Sequence, residues 1–188
     1  MKRVVSWPCT SAAKLLPTVT QSIHCSGAAF ADQAPPGESP YEIELTRQLF
    51  ASNDYLPKLS LVAVAGDEIV GFVIGTRGWV GPVEAVGLGP LAVTPDNQRS
   101  GVGSALMHAV IGASDALDVP LLALLGSTEY YPQFGFVTST DAGIESPEAE
   151  WGRALSDQDP HHAPPRSDGG EVFIRNAFRG GRLTLSAM

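Results

Sequence analysis

The residue pattern with the clearest chemistry is a glycine loop between an apolar run and an amphipathic segment. The β-prone run Leu88–Val93 ends at Thr94-Pro95, and a polar turn then leads to Gly101 and Gly103. Residues 104–117 follow with apolar side chains at helical spacing. The order strand, loop, helix leaves backbone N–H groups unpaired at the helix start, where the helix dipole favours an anion. Glycine has no Cβ, so an anion can approach this backbone closely.

The spacing of this loop differs from that of two common phosphate loops. A P-loop needs a lysine directly after its last glycine, and Ser104 stands there instead. A dinucleotide-binding fold needs a third glycine after its first strand, whereas only Gly101 and Gly103 fit and the loop lies mid-chain. A glycine turn that merely caps an ordinary helix remains an alternative.

A second pattern follows about 30 residues on. Residues 119–125, VPLLALL, predict a buried parallel strand, and residues 126–136 read GSTEYYPQFGF. An aromatic residue after a strand can belong to the core or to its rim. The phenol of a tyrosine, with a pKa near ~10, can also donate a proton. Tyr130 and Tyr131 therefore have two interpretations each.

The two patterns together resemble the GNAT superfamily of N-acetyltransferases, in its YhbS-like bacterial branch. The form [QR]-x-x-G-x-G after a strand ending L-x-V is similar to that family's acetyl-CoA pyrophosphate loop, and Y-x-x-x-G-F is similar to its pattern after the fifth strand. The resemblance covers about residues 28–152. It implies an α/β (α+β) fold, namely a mixed, mostly antiparallel twisted sheet with splayed fourth and fifth strands, flanked by helices.

The resemblance also implies an activity, the transfer of an acetyl group from acetyl-CoA to a primary amine by direct attack. Tyr131, at the family's tyrosine position, becomes the general acid for the leaving thiolate. Glu84, ahead of the fourth strand, is the candidate base through water; the alternative is a solvated surface carboxylate. No metal is expected. The residues expected to contact acetyl-CoA are Leu91, Ala92, Val93, Gln98, Arg99, Ser100, Gly101, Val102, Gly103, Ser104, Ser127 and Tyr130.

The remaining elements of the matching region are predicted from periodicity and turn residues. Residues 39–53 predict a helix, with Ile43, Leu45, Leu49 and Phe50 facing inward. Residues 59–65 and 68–75 predict a hairpin around a Gly-Asp turn. Gly89-Pro90 predicts a bulge in the fourth strand, because proline cannot donate to a ladder; an edge-strand proline is the alternative. A bulge would leave backbone groups near residues 91–93 free for the pantetheine arm, and one such N–H would polarise the thioester carbonyl.

Composition predicts one domain and limits its partners. The chain has 188 residues, 44% of them apolar, and a net charge of −8, which argues against nucleic acid. No apolar run approaches the ~20 residues of a membrane-spanning helix. Cys9 and Cys25 have neither metal-ligand nor redox spacing and suit a reducing cytoplasm. The acceptor is expected to be a small-molecule or peptide amine, and a homodimer is compatible with the family.

The two ends depart from the family pattern. The single predicted domain has its core at residues 28–152, with residues 1–26 and 154–188 atypical. Codons read one base out of frame can encode family-like strands at residues 154–162 and 170–181, and the other offset gives a looser match at residues 10–21. We therefore hypothesise frame errors at both ends, which reading the coding DNA at both junctions tests. The alternative is a genuine divergent tail in which Glu171–Arg175 forms a replacement strand.

Two further functional hypotheses stay open beside the active enzyme. One is an acetyl-CoA-binding module without turnover or with impaired turnover. The other is an unrelated anion-binding α/β protein.

Overall fold

Seven strands form one mixed sheet in the computed structural model, which describes residues 4–6, 12–80, 82–139, 141–142 and 171–176. The strands are β1 (Val4–Ser6), β2 (Leu61–Ala65), β3 (Glu68–Val80), β4 (Val83–Val93), β5 (Leu121–Gly126), β6 (Val137–Thr138) and β7 (Glu171–Asn176). Their order is β1-β2-β3-β4-β5-β7-β6. The β4–β5 pair is parallel and the other pairs are antiparallel, which confirms the predicted fold class.

Helices cover both faces of this sheet. They are α1 (Ala12–Ala29), α2 (Tyr41–Ala51) and α3 (Val102–Ala116). Helix α3 and its apolar residues pack on one face, against the core-facing side chains of β2, β3, β4 and β5. Helices α1 and α2 pack on the other face, where Cys25 and Leu49 meet Phe72 and Ile74. The glycine loop therefore opens at the α3 face of the sheet.

Helix α1 was not predicted from the sequence, because tertiary contacts rather than its periodicity define its buried side. Ser22 and Ser26 are fully buried, and Thr46 Oγ1 of α2 donates a hydrogen bond to Ser26 Oγ at 3.1 Å. A buried polar pair thus forms part of the α1–α2 contact. Of the predicted inward positions on α2, Leu49 is buried, while Ile43, Leu45 and Phe50 are half-buried.

Strand β4 is longer than the sequence predicted. It begins at Val83 rather than at Leu88, because β3 continues to Val80 and pairs with it. The expectation that Glu84 precedes the fourth strand is therefore wrong, since Glu84 lies inside β4 opposite Trp79. The predicted bulge is confirmed: Val73 pairs with Leu91 and Gly75 with Leu88, so β4 carries one extra residue around Gly89-Pro90.

The C-terminal strand β7 bears on the two explanations of the tail. It lies between β5 and β6 and pairs with both, and the Ile174 side chain is buried. Arg175 Nη1 forms an ion pair with Asp115 Oδ1 of α3 at 3.1 Å. The strand that the divergent-tail alternative predicts at Glu171–Arg175 forms, as Glu171–Asn176. Residues 1–3, 7–11, 81, 140, 143–170 and 177–188 lie outside the described residues, and the frame hypothesis and domain limits stay predictions.

Candidate functional site

The glycine loop forms the bend that leads into α3. Gly101 is the residue before the helix and has a left-handed backbone, with φ +86° and ψ 0°. The first helical hydrogen bond runs from the Ala105 N–H to the Gly101 carbonyl at 2.9 Å. The N–H groups of Val102, Gly103 and Ser104 precede this bond, and no side chain caps the helix. These three donors therefore form a helix N-terminus with the character of an anion site.

The side chains of the loop support its backbone. Gln98 Nε2 donates to the carbonyl of Val93 at 3.1 Å, so the loop is fastened to the end of β4. Arg99 is exposed and, like Gly101, has a positive φ, of 53°. Ser100 Oγ donates to the Asn97 carbonyl. Gln98 and Ser100 thus bond to nearby backbone carbonyls, and the first N–H groups of α3 have no acceptor within their own helix.

An opening lies between β4 and β5 beside this loop. The two strands pair only at Val86 with Leu122 and at Gly87 with Ala123. From there β4 continues to Val93 and β5 to Gly126 without further pairing to each other. The predicted splay of the fourth and fifth strands is confirmed by this register.

The predicted acetyl-CoA contacts on β4 differ in what they present. Ala92 is buried against the α1–α2 layer, whereas Leu91 and Val93 are half-buried on the α3 side. On the β3 side, Leu91, Ala92 and Val93 are all in register with strand partners. The sequence predicts that backbone groups near residues 91–93 are free for the pantetheine arm. The Val93 carbonyl is already engaged by Gln98.

The two tyrosines lie where the loop and the end of β5 meet. Tyr130 Oη lies 3.0 Å from where a Cβ on Gly103 would be, next to Val93 Cγ2. The Tyr131 ring lies against Gly126, the last residue of β5. The two rings meet edge to face, with centroids 5.1 Å apart. The structure therefore brings the glycine loop, Tyr130, Tyr131 and the open end of β5 into one cluster.

The electrostatics of Tyr131 follow from its surroundings. Burial, together with a smaller effect of the neighbouring Tyr130, raises the pKa of its phenol to about 12. Phe136 contacts the ring from another side, at a centroid distance of 6.1 Å. The hydroxyl consequently stays protonated at every physiological pH. Tyr131 therefore remains a hydrogen-bond donor at neutral pH.

Ser127 shapes the turn that carries these tyrosines. Its hydroxyl oxygen accepts a hydrogen bond from the Glu129 N–H at 3.2 Å, and its carbonyl accepts one from the Tyr130 N–H. Such a turn fixes the path of the chain from β5 to the tyrosines. The contact of Ser127 with acetyl-CoA stays a prediction.

Glu84 lies apart from this cluster. Its carboxylate is exposed and accepts from Arg77 Nε at 3.2 Å. It stands three residues before the paired Gly87, while Gly126 stands three residues beyond the paired Ala123. Since these strands are parallel, Glu84 and the Tyr131 contact point are about 20 Å apart along the sheet, at about 3.3 Å per residue. The structure does not bring the candidate base to the candidate acid.

Gly126 is the residue of this site to which sequence reasoning assigned no role. The sequence feature that could have indicated such a role is a glycine at the last position of an apolar strand, five residues before Tyr131. Within the described part of the chain, no group of three or more His, Cys, Asp or Glu side chains is arranged to hold a metal ion.

Comparisons with known proteins agree with this fold. The family profile described as Acetyltransferase (GNAT) domain matches residues 57–138. A curated relative, the uncharacterized N-acetyltransferase YjhQ of Escherichia coli K12, is 31% identical over 112 residues. That match covers 56% of this chain and spans 61% of the relative's length.

Two solved structures share the architecture. A GNAT family acetyltransferase of Brucella melitensis in complex with acetyl-CoA is similar with a TM-score of 0.60 and 24% identity, over 72% of this chain and 83% of that one. The GNAT family N-acetyltransferase YhbS of Escherichia coli in complex with CoA is similar with a TM-score of 0.63 and 17% identity, over 94% and 81%. At these identities the likeness shows the shared fold.

The chain shares with these structures a mixed sheet flanked by helices, and its fourth and fifth strands separate after two paired positions. Residues 57–138 match the GNAT acetyltransferase domain, and the chain spans about three fifths of the length of the curated relative that it matches.

Proposed function

We propose that this protein is an acetyl-CoA-dependent N-acetyltransferase that moves an acetyl group to a primary amine. The observation that supports the proposal is that the N-terminus of α3, the Tyr130 hydroxyl beside Gly103 and the Tyr131 ring on Gly126 cluster where β4 and β5 no longer pair. Backbone N–H groups at Val102, Gly103 and Ser104 would hold the pyrophosphate, and Gly101 leaves open space beside them. The chain's net charge of −8 repels a polyanion, so these local donors must hold the cofactor.

The proposed reaction forms one bond and breaks another without a covalent enzyme intermediate. The neutral amine nitrogen attacks the thioester carbonyl, and the tetrahedral intermediate collapses with cleavage of the C–S bond. The nitrogen loses a proton to water, and the departing sulfur gains one. A backbone N–H of residues 91–93 on the open edge of β4 would polarise the carbonyl.

Tyr131 would serve the departing sulfur through its hydroxyl. Full proton transfer from a phenol of pKa about 12 to a thiolate of ordinary pKa, about 8.5, is uphill by roughly 5 kcal/mol. Burial reduces this gap, because it also raises the pKa of a thiol. Burial raises the pKa of the Cys25 thiol in this protein to about 11. The Tyr131 hydroxyl would therefore stabilise the developing thiolate by a hydrogen bond, and the proton would follow as sulfur leaves.

No side chain at the site is assigned as the acceptor of the proton that the amine releases. Glu84 was proposed as a base through water, but about 20 Å of strand separates it from the Tyr131 contact point. We infer that an acceptor amine already neutral at working pH reacts, and that water removes its proton after attack.

The identity of the acceptor is proposed only as a class, a small-molecule or peptide amine. Among the described residues, no helix is long and apolar enough to cross a membrane. Location in the cytoplasm, the absence of a nucleic-acid partner and a homodimer stay predictions from the sequence.

The test separates this function from an acetyl-CoA-binding module without turnover. Acetyl-CoA at 100 times its Kd should raise the free energy of unfolding by about 2.7 kcal/mol in either case. Release of free CoA thiol with a panel of amines should occur only with the enzyme. A shift in stability without thiol release would favour the binding module. The absence of both the shift and the thiol release would refute the proposal.

A further inference from the structure

The Tyr131 ring occupies the volume that a side chain at Gly126 would fill. A methyl group added at Gly126 would lie 2.9 Å from Cδ2 and 3.0 Å from Cζ, and still nearer to Cε2. Carbon atoms that are not bonded do not pack at these separations. The ring edge centred on Cε2, between Cδ2 and the Cζ atom that carries the hydroxyl, is therefore the part that rests on the glycine.

The position of this contact in the sheet connects it with the separation of β4 and β5. Gly126 is the last residue of β5, beyond the positions where β5 pairs with β4, so it lies at the open side of the split. Tyr130 and Phe136 meet the same ring edge to face on its other sides. The ring is therefore held between main chain and two aromatic rings, and the missing Cβ fixes how deeply it sits.

We propose that Gly126 is a positioning residue, which sets the Tyr131 hydroxyl at the mouth of the opening by letting the ring lie on the β5 main chain. The inference rests on the proposed function, in which that hydroxyl meets the leaving sulfur. Any side chain at position 126 pushes the ring outward, by a distance on the order of 1 Å. A misplacement of this size can cost about 10²-fold in rate.

A merely structural glycine predicts a different outcome. It would lower stability when replaced, and its effect on turnover would not depend on the Tyr131 hydroxyl. A positioning glycine acts through that hydroxyl, so its effect on turnover disappears when the hydroxyl is absent. A double-mutant cycle separates the two.

The first experiment compares Gly126→Ala with Gly112→Ala as the matched control. Gly112 lies on α3 in open space, with no atom within 4 Å of an added Cβ. For Gly126→Ala we expect kcat to fall about 10- to 100-fold, with the Kd for acetyl-CoA changed by less than about threefold. In a Tyr131→Phe background the same substitution should change kcat by less than about twofold. An unchanged kcat, or a loss of equal size in both backgrounds, overturns the inference.

The second experiment does not depend on activity. Tyrosines are nitrated with tetranitromethane, and the modified peptides are quantified by mass spectrometry. Tyr131 should be protected in the wild type and in Gly112→Ala, and its rate should rise several-fold in Gly126→Ala. An unchanged rate at Tyr131 overturns the positioning role. If no amine is acetylated by the wild type, the proposed function fails while this labelling still decides where Gly126 holds the ring.

Discussion

Replacing Gly101 by alanine tests how much the left-handed backbone of the glycine loop contributes to stability and to acetyl-CoA binding. No atom lies within 4 Å of a Cβ added at Gly101, so the substitution creates no clash. The cost comes from the left-handed φ of +86°, which an L-residue adopts at about 1–2 kcal/mol. That free energy corresponds to a factor of about 5–30 in an equilibrium constant. The variant either keeps the bend and loses stability, or relaxes it and misaligns the N–H donors of α3.

The measurement follows both quantities, since the loss divides between them. Urea unfolding gives the free energy of unfolding, and calorimetric titration gives the Kd for acetyl-CoA. The two losses for Gly101→Ala should together reach about 1–2 kcal/mol. Gly101→Asn should recover part of it, because asparagine tolerates the left-handed region. Gly112→Ala is the control that should leave affinity unchanged and gain up to about 1 kcal/mol of helix stability. A Gly101→Ala protein equal to the wild type in both measurements would refute the reasoning.

Three further predictions concern the acid and the base. Tyr131→Phe should lower kcat by about 10²–10⁴-fold while acetyl-CoA affinity stays the same; a fully active variant would remove Tyr131 from its role. Burial of the neutral Tyr131 phenol contributes stability that is complete below about pH 10 and is lost as pH rises toward the folded pKa of about 12. Urea unfolding across this range should therefore show about 2–3 kcal/mol less alkaline loss in Tyr131→Phe than in wild type, and equal losses would contradict the raised pKa. Glu84→Gln should change stability by less than about 1 kcal/mol, because the ion pair with Arg77 is exposed, and should leave the pH profile of kcat unaltered. A displaced acidic limb in that profile would restore Glu84 as the base.

Local backbone chemistry explains why the loop and the fold class could be predicted. The glycines at 101 and 103 specify a left-handed bend and a close approach within a few residues, and the apolar segments beside them specify a strand and a helix. Gly89-Pro90 predicted the bulge for the same reason, since proline has no N–H to donate. Each of these features depends on residues adjacent in the chain.

Contacts between distant segments explain what could not be predicted. The early start of β4 at Val83 depends on its pairing with the far end of β3, and α1 is defined by burial of Ser22 and Cys25 on other elements. The separation of Glu84 from Tyr131 follows from the β4–β5 register, which no local pattern encodes. The role of Gly126 likewise needs the position of a ring that is five residues away in sequence.

Because β4 and β5 pair at only two positions, the sheet consists of two groups of strands joined by a short ladder. Strands β1 to β4 lie on one side and β5, β7 and β6 on the other, joined at two residue pairs. Amide protons of the second group should then exchange as one cooperative unit, at a lower opening free energy than the first. A molecule that bound across the two groups of strands would slow exchange in both, so a cofactor bound there, as proposed, would also stabilise the native state.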